Sequence, residues 1–127
     1  MISLQEVLQL HENSIRDYGG SSGIRDMNML ESALARPFQS FGNTEFYPTI
    51  FEKAAALLES IIKNHPFVDG NKRTGFLAVF ALLYRNKFEL LATKEAAYDF
   101  IINVASSQIT FEEIILWLKE NSIQSQS

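Results

Sequence analysis

Apolar residues return at helical spacing along almost the whole chain, and the interruptions are short. Leu4, Val7, Leu8, Ile15 and Tyr18 fall close to one face of a helix that Ser3-Leu4-Gln5-Glu6 opens as a capping box and Gly19-Gly20 closes. GGSSGIRD is a loop by composition. Asp26 or Asn28 can then cap a second helix carrying Met29, Leu30, Ala33 and Leu34, which Pro37 ends. Thr49 and Glu52 make another capping box, starting a helix through about Asn64 with Ala55, Leu58, Ile61 and Ile62 inward. From Asn71 to Asn86 the chain is apolar nearly all round, which predicts the buried central helix. Phe88 to Leu91 reads as a short connection. Thr93 caps a helix with Ala97, Phe100, Ile101 and Val104, and Thr110 with Glu113 caps one with Phe111, Ile114, Ile115 and Leu118. No segment alternates convincingly as a strand. The predicted fold is all-α, a compact bundle of about six helices. It forms a single domain over residues 1–121, followed by a polar tail, 122–127, expected to fray.

One stretch resists this pattern. Residues 36–48, RPFQSFGNTEFYP, lack periodicity but carry Phe38, Phe41, Phe46 and Tyr47. A structureless segment of that length in a small domain is often a functional flap; the plainer reading tucks its aromatics into the core.

Composition narrows the function classes. With 127 residues, 46% hydrophobic and 20% charged, the chain has the make-up of an ordinary soluble domain. Its net charge of −4 argues against a generalised basic surface, so direct nucleic-acid binding is not expected and phosphate recognition has to be local. Cysteine is absent, which excludes disulfides and thiolate metal sites and fits a reducing compartment. The longest apolar run, about ten residues, is far short of the roughly 20 that span a bilayer. No basic segment followed by an apolar block opens the chain, so neither membrane nor signal peptide is expected and the location is expected to be cytoplasmic.

The chemistry concentrates in His65 to Gly75, HPFVDGNKRTG. His65 stands where a helix ends, and a neutral imidazole can take a proton from a hydroxyl near pH 7. Asp69 is a hard oxygen ligand suited to a magnesium ion that also binds phosphate. Gly70 lets the backbone turn, and Asn71 is placed to cap the next helix, leaving that helix's first N–H groups for an anion. Lys72 and Arg73 put cations at a helix start, where the helix dipole disfavours them; a bound polyphosphate relieves that conflict. Phe67 reads as an apolar anchor. A histidine at a helix end is also an ordinary structural residue, and Asp-Gly-Asn an ordinary turn, so these residues by themselves leave both readings open. Arg25 and Lys63 read as solvated surface cations. No Gly-rich lysine loop of the Walker type is present.

HPFVDGNKR resembles the signature of the Fic family: His, any residue, Phe, any residue, Asp or Glu, Gly, Asn, Gly or Lys, Arg. With Lys72, followed by Thr74 and a small residue, it is similar to the death-on-curing (Doc) branch. GIRDMNMLESALARP (residues 23–37) and FEKAAALLESIIKNHPF (residues 51–67) are also similar to that branch, and the likeness covers about residues 4–90. The resemblance implies a small helical toxin of a toxin–antitoxin system that uses ATP and modifies a protein hydroxyl. It gives His65 the role of general base, Asp69 that of magnesium ligand, and Gly70, Asn71, Lys72 and Arg73 the phosphate pocket. AMP-transferring members carry Gly where this chain has Lys72 and a second Arg where it has Phe76. The resemblance therefore implies transfer of the γ-phosphate, with a threonine of elongation factor Tu as the target class and translation halted. AMP transfer is the first alternative, and a catalytically silent protein-binding module the second; intact His65, Asp69 and Asn71 weigh against the latter. Self-inhibited relatives carry a helix reading Ser/Thr-x-x-x-Glu-Gly/Asn. Here Leu8 and Leu116 stand four residues before the Glu of each Glu-Asn pair, so inhibition is expected from a separate antitoxin whose C-terminal helix fills a groove. Gly75 replaces the Ala usual in the branch, a departure expected to be harmless.

Overall fold

A computed structural model describes residues 1–125. Its order is α1 (Leu4–Tyr18), α2 (Met27–Ala35), a 3-10 turn (Arg36–Phe38), β1 (Ser40–Phe41), β2 (Thr44–Glu45), α3 (Ile50–Asn64), α4 (Asn71–Arg85), β3 (Phe88–Leu90), α5 (Lys94–Ala105), α6 (Phe111–Glu120) and β4 (Ser122–Gln124). The all-α bundle is the observed architecture. Full capping boxes form at Ser3 and Thr110, and the Thr49 and Thr93 hydroxyls accept from Glu52 and Ala96 N–H groups. Asp26, rather than Asn28, caps α2 by accepting from Met29 N–H.

The centre is α3, not α4 as the apolar pattern suggested. Ala54–Leu58 and Ser60–Ile62 are buried, and α3 packs against α2, α4, α5 and α6. Its charged residues sit at the rim and are matched by neighbours: Glu59 to Arg36 at 2.8 Å, Lys53 to Glu45 at 2.8 Å. Lys63, expected on a solvated surface, reaches the Ser107 hydroxyl and the Ala105 carbonyl at the end of α5. On α4, by contrast, Phe80 and Tyr84 stack on each other with centroids 6.4 Å apart and remain exposed. An apolar helix face does not reveal whether a neighbour covers it.

Two antiparallel strand pairs correct the expectation of no strands: Ser40↔Glu45 with Phe41↔Thr44, and Phe88↔Gln124, Glu89↔Ile123 and Leu90↔Ser122. Strands of two or three residues are too short for alternation to register. The tail expected to fray is instead tied in through β4, helped by Ser125 N–H donating to Lys87 O at 2.8 Å; backbone pairing needs no apolar side chains. The rest of the tail, residues 126–127, lies outside the described residues. The aromatic stretch 36–48 divides between its two readings. Phe38 and Tyr47 are half-buried, while Phe41 and Phe46 on the hairpin stay exposed at 81% and 53%. Among the described residues, no helix is long and apolar enough to cross a membrane.

The two ends of the site-bearing helices are joined by charge. Arg85, at the end of α4, pairs with Glu6 in the first turn of α1 and donates to Met1 O at 2.8 Å. The Arg85 hydrogen bond, then the Ser3 backbone, hold the Glu6 carboxyl well below its ordinary 4.5, at about 2. A carboxyl with a depressed folded pKa stabilises the fold above its unfolded value, and that gain disappears as pH falls through the folded one. Unfolding free energies of the parent and Glu6→Gln should therefore differ at neutral pH and converge as pH falls from 4.5 to about 2. A constant gap across that window would show that the pair does not act through Glu6 ionisation.

Candidate active site

The site begins where α3 stops. His65 is its C-cap and adopts the left-handed conformation, φ 48° and ψ 55°, which an L-residue holds only under restraint. Arg25 supplies that restraint. Its Nε donates to His65 O at 2.5 Å and its Nη2 to Asn64 O at 2.7 Å, so this cation, exposed as expected, also clamps the carbonyl end of α3. The loop before α2 runs beside the motif: Arg25 and Asp26 N–H groups donate to Pro66 O, and Val68 N–H donates to Gly23 O. Phe67 is buried, as its anchor role required.

Asn71 is the hub of the turn. Its Oδ1 accepts from Phe67 N–H at 2.9 Å, its Nδ2 donates to Phe67 O at 3.0 Å, and the same Nδ2 lies 3.4 Å from His65 Nδ1. The amide is thus committed, and the expected cap role passes to Gly70, left-handed at φ 78°, with no side chain capping α4. The N–H groups of Asn71, Lys72 and Arg73 consequently have no protein acceptor among the described residues; Thr74 N–H, donating to Gly70 O at 2.9 Å, is the first satisfied. Three free amides, the positive end of a helix and two cations at one point suit a phosphate chain.

Lys72 is exposed and has no ion-pair partner among the described residues. Arg73 is half-buried: its guanidinium lies 5.2 Å from the Tyr18 ring centroid, Nη2 donates to Gly19 O at 3.2 Å, and the buried Nε has no partner. Asp69 is exposed, with Oδ2 accepting from Ser21 N–H at 3.1 Å and Oδ1 from Gly70 N–H at 2.8 Å. Those two bonds, Ser21 first, with Arg73 and His11 adding charge, hold its carboxyl below the ordinary range. Asp69, Gly70, Asn71, Lys72 and Arg73 form one wall of a cleft of about 550 Å³, and Tyr18, Phe76, Tyr98 and Ile101 help form the rest. His65 does not line this cleft; Asn71 connects the two.

Sequence reasoning missed three supports on or just after α1. His11 is buried, stacks on Phe67 with centroids 3.9 Å apart, and bonds Asp69 O at 2.8 Å. Its signal was present: with Val7 and Ile15 it continues an apolar stripe at four-residue spacing. Ser21 contributes a backbone amide, which no side-chain pattern announces. Gly20 has φ 117°, and a Cβ there would stand 2.7 Å from Asp69 Oδ2, whereas one on Gly19 meets nothing within 4 Å. Gly20→Ala should destabilise by about 1–3 kcal/mol and shift the Asp69 carboxyl resonance; Gly19→Ala, bearing only the backbone strain, should leave that resonance in place. Equal resonances in the two variants would rule out the steric role. At Gly75 a Cβ would meet Leu58 and Ile62 at 3.4 Å, ordinary contact that leaves room for Ala.

The end of one helix and the uncapped beginning of the next thus meet beside this cleft. Residues 1–83 match the model of the Fic/DOC family, and the chain belongs to that family, in its Doc branch. Membership makes it, at the level of class, a Fic-type transferase. One relative, Toxin Doc of Mycolicibacterium smegmatis, is 37% identical over 99 residues, 76% of each chain. Another, Protein kinase doc of Escherichia phage P1, is 30% identical over 113 residues, 89% of this chain and 88% of the relative.

Proposed function

We propose that this chain is a Doc-type toxin that transfers the γ-phosphate of ATP to a hydroxyl of a protein, with magnesium bound beside Asp69. The observation that carries the reading is the start of α4. Its first N–H groups are uncapped, and Lys72 stands there free of any ion pair among the described residues. The names of the two relatives, a toxin and a protein kinase, support it.

Among the described residues no three His, Cys, Asp or Glu side chains converge to hold a metal by themselves. That fits magnesium, which is commonly held by one or two carboxylates together with phosphate oxygens and water. Asp69 is exposed and each of its oxygens accepts a single protein hydrogen bond, so lone pairs remain for the ion. When bound, magnesium neutralises charge on the phosphate chain. The amides of residues 71–73, with Lys72 and Arg73, hold the remaining phosphate oxygens. The acceptor oxygen bonds to the γ-phosphorus as the bond to the β,γ-bridging oxygen breaks. ADP leaves with that electron pair, and His65 takes the hydroxyl proton. Asn71 Nδ2 lies 3.4 Å from His65 Nδ1, a long contact that holds the ring only loosely.

Phe76 and Lys72 both line the cleft, at the positions where the Fic resemblance gives AMP-transferring members a second arginine and a glycine. Both favour phosphate over AMP. A threonine of elongation factor Tu is the acceptor class we propose, with arrest of translation as the outcome. A separate antitoxin, its C-terminal helix seated in a groove of the bundle, is the proposed inhibitor, and the toxin would act in the cytoplasm. Purified protein incubated with magnesium, a bacterial lysate and ATP labelled at the α or γ phosphate tests the reaction. Label arriving only from the γ position is expected; label from the α position would establish AMP transfer instead. Label from neither, with His65→Ala behaving like the parent, would leave a silent binding module.

A further inference from the structure

The Asp69 carboxylate is gripped by two backbone amides, and the peptide unit that carries one of them is itself held from α1. Gly70 N–H, which donates to Asp69 Oδ1 at 2.8 Å, and Asp69 C=O, which accepts from His11 Nε2 at 2.8 Å, belong to the same peptide plane. Because that plane is rigid, fixing the direction of the carbonyl fixes the direction of the N–H on its other side. A carbonyl only accepts, so Nε2 carries the proton in this bond. The imidazole cannot swing away. It is buried at 2% exposure and lies flat on Phe67, with 8° between the rings. Phe67 in turn has both backbone groups bonded to the Asn71 amide.

We infer that His11 is a positioning residue: it sets the Asp69–Gly70 peptide and thereby aims the Asp69 carboxylate into the phosphate cleft. His11 touches neither phosphate nor acceptor. It lies outside the His65–Gly75 motif, 58 residues from Asp69 in the chain. Its action is of the kind by which outer partners orient a metal's ligand, where losing the partner typically weakens metal binding about 10- to 100-fold. The inference rests on Asp69 serving the phosphate site as proposed above, and its test includes a measurement on the ligand-free protein.

Three variants separate the hydrogen bond from the packing. His11→Phe keeps a flat ring against Phe67 but has no donor. His11→Gln carries an amide nitrogen at about the reach of Nε2, whereas His11→Asn falls short of it. In ligand-free, ¹⁵N-labelled protein, hydrogen exchange at Ser21 and Gly70 should speed up at least about tenfold in the Phe and Asn variants. Exchange in the Gln variant should stay within about threefold of the parent. Calorimetric Kd values for magnesium–ATP should follow the same order, rising about tenfold or more in Phe and Asn and recovering in Gln. Unchanged exchange and Kd in His11→Phe would overturn the inference, as would Gln and Asn variants that behave alike. If His11→Phe fails to fold, the Gln and Asn pair decides. A parent that transfers no phosphate would count against the proposed reaction, while exchange at Ser21 and Gly70 would still decide the role of His11.

Discussion

His65→Ala is expected to reduce transfer of the γ-phosphate by about 10²- to 10⁴-fold, the usual worth of a positioned general base. That corresponds to roughly 3–5 kcal/mol on the barrier. Affinity for magnesium–ATP should change by less than about threefold, because His65 does not line the cleft that holds Asp69 and the start of α4. The backbone adds a sharper test. At φ 48° every L-residue is strained, by about 1–2 kcal/mol, and glycine is not. His65→Gly should therefore be as inactive as the alanine variant, yet no less stable than it. A histidine kept in the left-handed region, with Arg25 bonded to its carbonyl, is strain retained at the proposed site of chemistry. Substantial transfer by either variant would remove His65 from the base role.

What could be read in the chain was mostly what is local. Ser3, Thr93 and Thr110 cap their helices because a hydroxyl a few atoms from free N–H groups needs no tertiary help. The motif residues Asp69 to Arg73 gather on one wall because they are consecutive across a turn. Choices that depend on distant neighbours were illegible. The apolar run of α4 pointed to it as the central helix, whereas α3 carries charges at residues 52, 53, 59 and 63, two of which Arg36 and the hairpin meet from other segments. The Asn71 amide suited a cap until Phe67 claimed both its ends. His11 and Arg25 serve the motif across long sequence separations; the stripe that His11 shares with Val7 and Ile15 marks its burial but not its partner. The β3–β4 pair is joined by main-chain bonds, to which side-chain patterning is blind.

The uncapped start of α4 carries a second large expectation, because Asn71 holds the turn that creates it. Removing its amide in Asn71→Ala strands the Phe67 N–H and C=O in the interior, where each unpaired group costs about 1–3 kcal/mol. A loss of about 2–5 kcal/mol in unfolding free energy is expected, with magnesium–ATP binding weakened beyond what instability explains. Asn71→Asp separates those effects. A carboxylate still accepts from Phe67 N–H but faces Phe67 O without a donor, so part of the stability loss remains. A negative charge in the first turn of a helix is favourable to the helix itself. It also offsets the excess of positive charge from Lys72 and Arg73, and it repels phosphate. The aspartate variant should therefore be more stable than the alanine variant while binding nucleotide more weakly. Denaturant unfolding and calorimetric Kd values, measured on both proteins, check the inversion. If nucleotide affinity simply follows stability across the pair, the charge at the start of α4 is not what binds the phosphates. Lys72 and Arg73 would then need another explanation for standing where the helix dipole opposes them.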